Sequence, residues 1–317
     1  TNDTDLPRID FTDGTGSLLL EPQRTNLVTY SEDFSQWGTV NGAVVTDNFT
    51  TSPDGTQNAA KVVYDGTSLG RIEMQTGASG TNTQSIYLKT ASGTQAVSIG
   101  ALSGSLTEVT VTSEWQRFTH TGSGNYPRVL CNDAATIYAW GAQLEAGSYA
   151  TSYIPTNGST VTRSADVANN SGNADLFNDS EGVLYAEIAA LDNDGTNRSI
   201  SISDSTNANR IELRLASTND RIQYNARTSS VTQASIFTDD YDVLDFNKIA
   251  VVYKDNDFRL FVNGVRKATD TSGTAPTGLK ELAFDLGDGS NPFYGNVKCV
   301  AVFTEALTDE QLEKLTS

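Results

Sequence analysis

Hydrophobic positions along this chain recur in short runs, and most of the runs alternate with polar residues. The first set is "AAKVVY" (59–64), "GRIEMQT" (70–76), "TQSIYLKT" (83–90), "QAVSIGALS" (95–103), "LTEVTVTSEWQRFTHTG" (106–122) and "ATIYAWGAQLEAG" (135–147). Each run is bounded by Gly, Pro, Asn, Asp or Ser, the residues that form turns. A period of two predicts strands with one buried face. In "QSIYLKT", Ile86 and Leu88 point to one face while Tyr87 and Lys89 point to the other. One strand and its turn take about ten residues, the spacing of an antiparallel sandwich.

A second block opens at "EGVLYAEIAAL" (181–191) and continues through "NRSISISDS", "NRIELRLAS", "DRIQYNART" and "SSVTQASIF". "KIAVVYK" and "FRLFVN" then predict a hairpin over Asp255-Asn256-Asp257, and Asn263-Gly264 predicts another tight turn. "ELAFDL" and "NVKCVAVF" supply further strands. In "TEALTDEQLEKL", Thr308 can cap a short helix, with Gln311 closing a capping box and Leu312 and Leu315 facing inward. Strands and helices do not alternate, which excludes Rossmann and α/β-barrel enzymes. The fold class is all-β, with two antiparallel β-sandwich (jelly-roll) domains in tandem.

The pattern predicts a polar N-terminal extension over 1–16 and a first sandwich over 17–150, beginning with "SLLLEPQRTNLV". Residues 151–180, rich in Thr, Ser, Asn and Gly, read as a surface connector with the domain boundary near residue 168. The second sandwich with its helix fills 181–317.

Composition narrows the chemistry. Hydrophobic residues are 37% of the chain, below the usual share, and turn residues fill the difference. The formal net charge of −18 argues against a nucleic-acid partner and against docking on an anionic membrane. No apolar run approaches the length of a membrane span, so no membrane insertion is expected. The two cysteines, Cys131 and Cys299, fall in different predicted domains and support neither a disulfide framework nor a cysteine zinc site. The single histidine, His120, leaves no histidine triad and no base for a serine nucleophile elsewhere. The chain opens at Thr1 without a methionine, as expected of a fragment or a processed product.

An acidic chain also suggests calcium, which takes carboxylate and carbonyl oxygens. "LDNDGTN" offers Asp192 and Asp194, and "DLGDGSN" offers Asp285 and Asp288, so a structural Ca²⁺ is a candidate while no cofactor is required. Sugar sites need aromatic faces for stacking. The candidate carbohydrate-binding residues are Trp37, Tyr30, Trp115 and Tyr126. Trp115 and Trp140 also have the setting of core residues.

The phrases "NKIAVVYKDNDFRLFVNGV" and "FYGNVKCVAVFTEALTDEQL" resemble the concanavalin A-like lectin/glucanase jelly roll, in particular its laminin-G-like branch. The resemblance covers 181 to 315 and implies that the two tight turns are scaffold. A glycanase of that fold would carry Glu-x-Asp-x-x-Glu on one strand face, and this pattern is absent. The resemblance therefore implies no catalytic residue and no enzyme.

The first block carries a resemblance of its own. "LLLEPQRTNL" and "AQLEAGSYATSYIPT" resemble stretches of tail-fibre, head-fibre and spike proteins of bacteriophages, and the segment between them is similar to carbohydrate-binding-module jelly rolls. What this implies is a virion structural protein displayed on the phage particle and extracellular when it acts. Its implied partners are host-surface glycans, other virion proteins and, as in many fibres and spikes, two further copies in a homotrimer. A decoration protein that binds no sugar and a polysaccharide depolymerase are the alternatives.

Overall fold

The computed structural model describes residues 7–101, 104–218 and 220–317; the first six residues of the expected N-terminal extension lie outside the described residues. The chain divides into two compact units, one of Gln23–Ser164 and the other of Ala165–Ser317 joined by the segment that ends at Pro22. The first unit is thus inserted into the sequence of the second.

Where it is described, the extension forms a strand. Strand β1 (Arg8–Asp10) pairs antiparallel with β2 (Ser17–Leu20). Between them Gly14 takes φ +83° and donates its N–H to the Phe11 carbonyl at 2.9 Å. Gly14 supplies the positive φ that a tight turn needs.

The inserted unit contains β3 (Arg24–Asn26), β4 (Gly38–Val40), β5 (Val44–Thr50), β6 (Ala59–Asp65), β7 (Gly70–Glu73), β8 (Thr81–Thr90) and β9 (Gln95–Ala101). They are followed by β10 (Leu106–Val111), β11 (Gln116–Ser123), β12 (Pro127–Cys131), β13 (Ala134–Ala146) and β14 (Val161–Arg163). One sheet has the order β11-β8-β13-β6-β5 and the other β10-β9-β12-β7-β4. Ile86, Leu88, Val62, Ile137 and Ala139 of the first meet Ile72, Val97, Ile99 and Val129 of the second in one buried cluster.

The C-terminal unit adds β15 (Glu181–Ala190), β16 (Arg198–Ser203), β17 (Arg210–Leu215), β18 (Ile222–Thr228) and β19 (Val231–Thr238). Then come β20 (Asn247–Lys254), β21 (Phe258–Val262), β22 (Val265–Asp270), β23 (Glu281–Ala283), β24 (Gly295–Phe303) and helix α1 (Asp309–Leu315). A seven-stranded sheet, β1-β2-β24-β15-β20-β21-β22, faces a five-stranded sheet, β19-β18-β17-β16-β23. Leu184, Ile188, Ile249 and Val251 pack against Ile200, Ile211, Leu213 and Tyr224 between them. The outer side of the larger sheet buries Val183, Ala250, Val252 and Phe261 under Leu312 of α1.

The predicted all-β class and its hairpins hold. Asn256 (φ 59°) turns the β20–β21 hairpin, and Asn263 (φ 47°) with Gly264 (φ 78°) turns β21 into β22. Positive φ at both central residues matches the strand twist. The Thr308–Gln311 capping box is present on α1.

Two boundaries differ from the sequence expectation. Strand β2 does not open the first sandwich: it pairs with β24, and Leu20 enters the C-terminal core. An apolar "LLL" run carries no mark of which sheet it joins. The expected connector over 151–180 is divided as well. Its first part packs on the inserted unit, where β14 pairs with β3, and its second part, including buried Phe177, belongs to the C-terminal unit.

Candidate functional site

Strand parity builds an outward face on the β11-β8-β13-β6-β5 sheet. Ile86 and Leu88 face the core, so Tyr87 and Lys89 of β8 face away from it. The register then places Arg117 of β11 and Trp140 of β13 beside Tyr87, and Tyr138 of β13 beside Lys89. Lys61 of β6 lies opposite Tyr138. Trp115 stands one residue before β11, next to Gln116, the partner of Leu88.

The side chains form a ladder of rings and cations. Lys61 Nζ lies 4.1 Å from the Phe49 ring centre, and Phe49 stacks on Tyr138 at 5.9 Å and 14°. Lys89 Nζ lies 5.2 Å from the Trp115 ring and 5.8 Å from Tyr138. Arg117 covers Tyr87 at 5.6 Å, Tyr87 meets Trp140 at 5.3 Å, and Trp140 meets Tyr153 at 4.7 Å. Phe49 is 43% exposed. Tyr87, Lys89, Trp115, Arg117, Tyr138 and Lys61 are half-buried. Ring faces on the solvent side of a sheet can stack on the apolar faces of sugars, and cations on those faces supply hydrogen-bond donors.

Two segments border this face. The register of β5 slips between Thr46 and Thr50, and the Trp115 indole donates to the Thr51 carbonyl at 3.1 Å, tying the loop after β5 to the ladder. In that loop the Ser52 hydroxyl, with the Thr56 amide and hydroxyl, holds the Asp54 carboxyl down at about 2. The other border is the segment after β13. The Tyr153 hydroxyl donates to Glu32 at 2.9 Å, and burial pushes its phenol well above the ordinary range. Asn58 donates to both Glu32 and Asp54. These carboxylates are therefore engaged at the rim.

The structure separates the predicted sugar-binding residues. Trp115 lies in the ladder. Trp37 does not offer a ring face: it is 4% exposed, packs on Phe34 at 5.0 Å and donates to the Tyr30 carbonyl at 2.9 Å. The cause is a 3-10 turn over Phe34–Gln36, N-capped by Asp33, which turns both rings inward. Tyr30 packs against the same core. Tyr126 stands at the head of β12, in the other sheet. Trp140, expected in the core, is buried on the opposite side of its sheet, beneath Tyr87 and Tyr153. The unnamed members were Phe49, Lys61, Tyr87, Lys89, Arg117, Tyr138 and Tyr153. The signal for most of them was parity: Trp115/Arg117, Tyr87/Lys89 and Tyr138/Trp140 are each two residues apart.

The calcium candidates cap their own turns. Asp194 accepts from Thr196 and from Arg198 Nη2 at 2.8 Å, Asp285 accepts from the Gly287 amide, and Asp288 accepts from Ser290. Asp192 lies half-buried in the same loop as Asp194. No three acidic, His or Cys side chains come together among the described residues. Asp194, already paired with a guanidinium, does not suit a cation site.

Two carboxylates, Glu212 and Glu281, lie on the outward face of the five-stranded sheet. Glu212 is fully buried there; it accepts from Ser199, Arg210, Arg214 and Asn225 at 2.6–3.2 Å. Glu281 accepts from the Asn170 amide at 2.8 Å and from the Ser205 hydroxyl. His120, in the inserted unit, meets Thr107 at 2.8 Å, and burial lowers its pKa below the free value of 6.5.

Residues 184–313 match the Laminin_G_3 family, described as the concanavalin A-like lectin/glucanases superfamily. The match covers the C-terminal sandwich, where the sequence phrases had placed it. Among solved structures, the chain is similar to the CBM40 of Ruminococcus gnavus IT-sialidase bound to α2,3-sialyllactose, at 15% identity and TM-score 0.40, covering 47% of this chain and 94% of that one. It is also similar to leech intramolecular trans-sialidase, at 19% identity and TM-score 0.39, covering 48% of this chain and 26% of that one. Domain 4 of a GH43 extracellular arabinanase from Geobacillus stearothermophilus, in complex with arabinotriose, is similar at 12% identity and TM-score 0.37, covering 46% and 70%. No curated protein matches the chain.

Proposed function

We propose that this protein binds glycans without chemically altering them, as part of a fibre or spike displayed on a phage particle. The observation that carries the binding reading is the ring ladder Phe49–Tyr138 and Trp115–Lys89–Tyr138 on the solvent side of a sheet. Sugar sites need such faces together with nearby donors. Two carboxylates facing outward on the C-terminal sheet are held by their neighbours, Glu212 between two arginines and Glu281 by an amide and a hydroxyl. Acid–base work on a glycosidic bond needs one of a pair to be free to take or give a proton. The virion setting, with host-surface glycans and other virion proteins as partners and a homotrimer as the assembly, rests on "LLLEPQRTNL" and "AQLEAGSYATSYIPT" alone.

The test is a glycan array and a host-cell binding assay on the purified chain, with light scattering for the assembly. Binding that Tyr138→Ala weakens, with no shortening of the bound glycan, supports the proposal. Binding to no glycan and no cell would leave the decoration role, in which the sandwiches meet only protein. Release of shortened oligosaccharides would make the chain a depolymerase.

A further inference from the structure

We propose that the β11-β8-β13-β6-β5 face selects acidic glycans, those bearing carboxylate or sulfate groups. This rests on the glycan-binding reading and adds the substrate class and the residues that set it. The chain as a whole is strongly acidic, with 21 Lys and Arg against 39 Asp and Glu. Many of the described cations are paired with carboxylates, among them Lys254 with Glu181, Lys267 with Asp240, Lys298 with Asp13, and Arg221 with Asp239. Lys61, Lys89 and Arg117 differ from these in sharing one sheet face and lying over rings. Their partners are rings, namely Phe49 for Lys61, Trp115 and Tyr138 for Lys89, and Tyr87 for Arg117, together with the Ser85 hydroxyl at 2.8 Å from Arg117.

Among the described residues, three cations therefore stand on one sheet face without a carboxylate partner, on β11, β8 and β6, three of four successive strands. Adjacent strands are about 4.8 Å apart, so the row spans about 15 Å, the reach of a short run of sugars. A ring beneath a lysine fixes its stem and leaves the ammonium hydrogens outward, because the ring face accepts no more than one of them well. The nearby carboxylates Glu32 and Asp54 sit at the rim and are bound to Asn58, Tyr153, Ser52 and Thr56. Like charge at the rim repels an anion approaching from that side, so an acidic chain would lie along the ladder. Neutral sugars would gain stacking alone; acidic sugars would gain stacking and charge-assisted hydrogen bonds, which are roughly twice as strong as neutral ones.

The experiment uses the full chain in affinity electrophoresis through gels containing polygalacturonate, dextran sulfate, neutral dextran or starch, at low and high salt. The expected result is retardation by an acidic polymer that weakens with salt and falls at least tenfold in the Lys61→Gln/Lys89→Gln/Arg117→Gln variant. Lys280→Gln/Lys314→Gln, in the other unit, controls for general charge and should bind as the parent does. The melting temperature of each variant separates lost binding from lost folding. Equal, salt-insensitive retardation by the neutral polymers would overturn the acidic class while leaving glycan binding intact. Acidic binding that the triple variant retains would overturn the site. Retardation by none of the four, together with no signal on the array, would overturn the glycan-binding reading itself.

Discussion

The Asn26 side chain donates from Nδ2 to the Ile154 carbonyl at 2.8 Å. The same amide donates to Ala142, and its Oδ1 accepts from the Val28 and Leu144 amides at 3.1 Å. Asn26 is fully buried, so one side chain satisfies four backbone groups of three separate segments. Gln143 and Glu145 complete the latch by binding the Ile154 and Thr151 amides.

Asn26→Ala strands those groups away from water, at about 1–3 kcal/mol for each that finds no new partner. A loss of about 3 kcal/mol in the unfolding free energy of the inserted unit is expected by denaturant titration. Asn26→Asp keeps the acceptor and loses the donor, so it should fall between the two. A wild-type midpoint for Asn26→Ala would mean that water replaces the amide.

Arg8 pairs with both Glu21 and Asp166, and Asp166 also accepts from the Glu21 amide at 2.6 Å. The two chain segments of the C-terminal unit are joined at this point. Asp166→Ala should loosen β1 and β2, and the measurement is amide hydrogen exchange over 8–20. Faster exchange there, with β20 and β21 unchanged, is the expected outcome. Uniform protection would assign the hold on these strands to the β2–β24 ladder alone.

Much of the fold was legible because strands write their own parity. The hairpin over Asn256, the Asn263-Gly264 turn and the Thr308 capping box depend on residues close in sequence, and local chemistry decides them. The membership of β2 was not legible, because its pairing with β24 joins residues far apart in sequence. The site was legible only in part. Tyr87 and Lys89 could be placed on the outward face of β8, but Arg117, Tyr138 and Lys61 join them through register, which alternation alone leaves open. Trp37 misled for a related reason: it was a candidate sugar-binding ring, yet the Asp33-capped turn drives it inward.

His120 gives the inserted unit a pH dependence. Burial lowers its pKa in the folded state below the free value of 6.5, so the folded state favours the neutral ring. Its contribution is then fully present above pH 6.5 and is lost as pH falls through the lower, folded value. Thermal melts should show the inserted unit losing stability on acidification below pH 6.5, and His120→Asn should flatten that slope. An unchanged slope would place the effect on other groups.

Calcium gives a simple contrast. With Asp194 paired to Arg198, and Asp285 and Asp288 bound to their own loop amides, the candidate donors are already engaged. Adding chelator should leave the melting temperature unchanged, and adding millimolar Ca²⁺ should not raise it. A calcium-dependent rise would reveal an ion that rearranges these loops, and Asp288→Asn should then abolish it.

Glu212 offers the sharpest separation of structure from catalysis. Its carboxylate is 0% exposed and meets Arg210 at 3.2 Å and Arg214 at 2.6 Å, so it bridges two largely buried guanidiniums. Glu212→Gln keeps the shape and removes the charge that both arginines share. Breaking a buried pair in this way costs about 3 kcal/mol. A marked drop in the stability of the C-terminal unit is expected, with glycan binding at the inserted unit unchanged, because the ladder residues belong to the other unit. If the variant instead melted like the parent while any glycan cleavage disappeared, Glu212 would be a catalytic acid and the non-enzymatic proposal would fall.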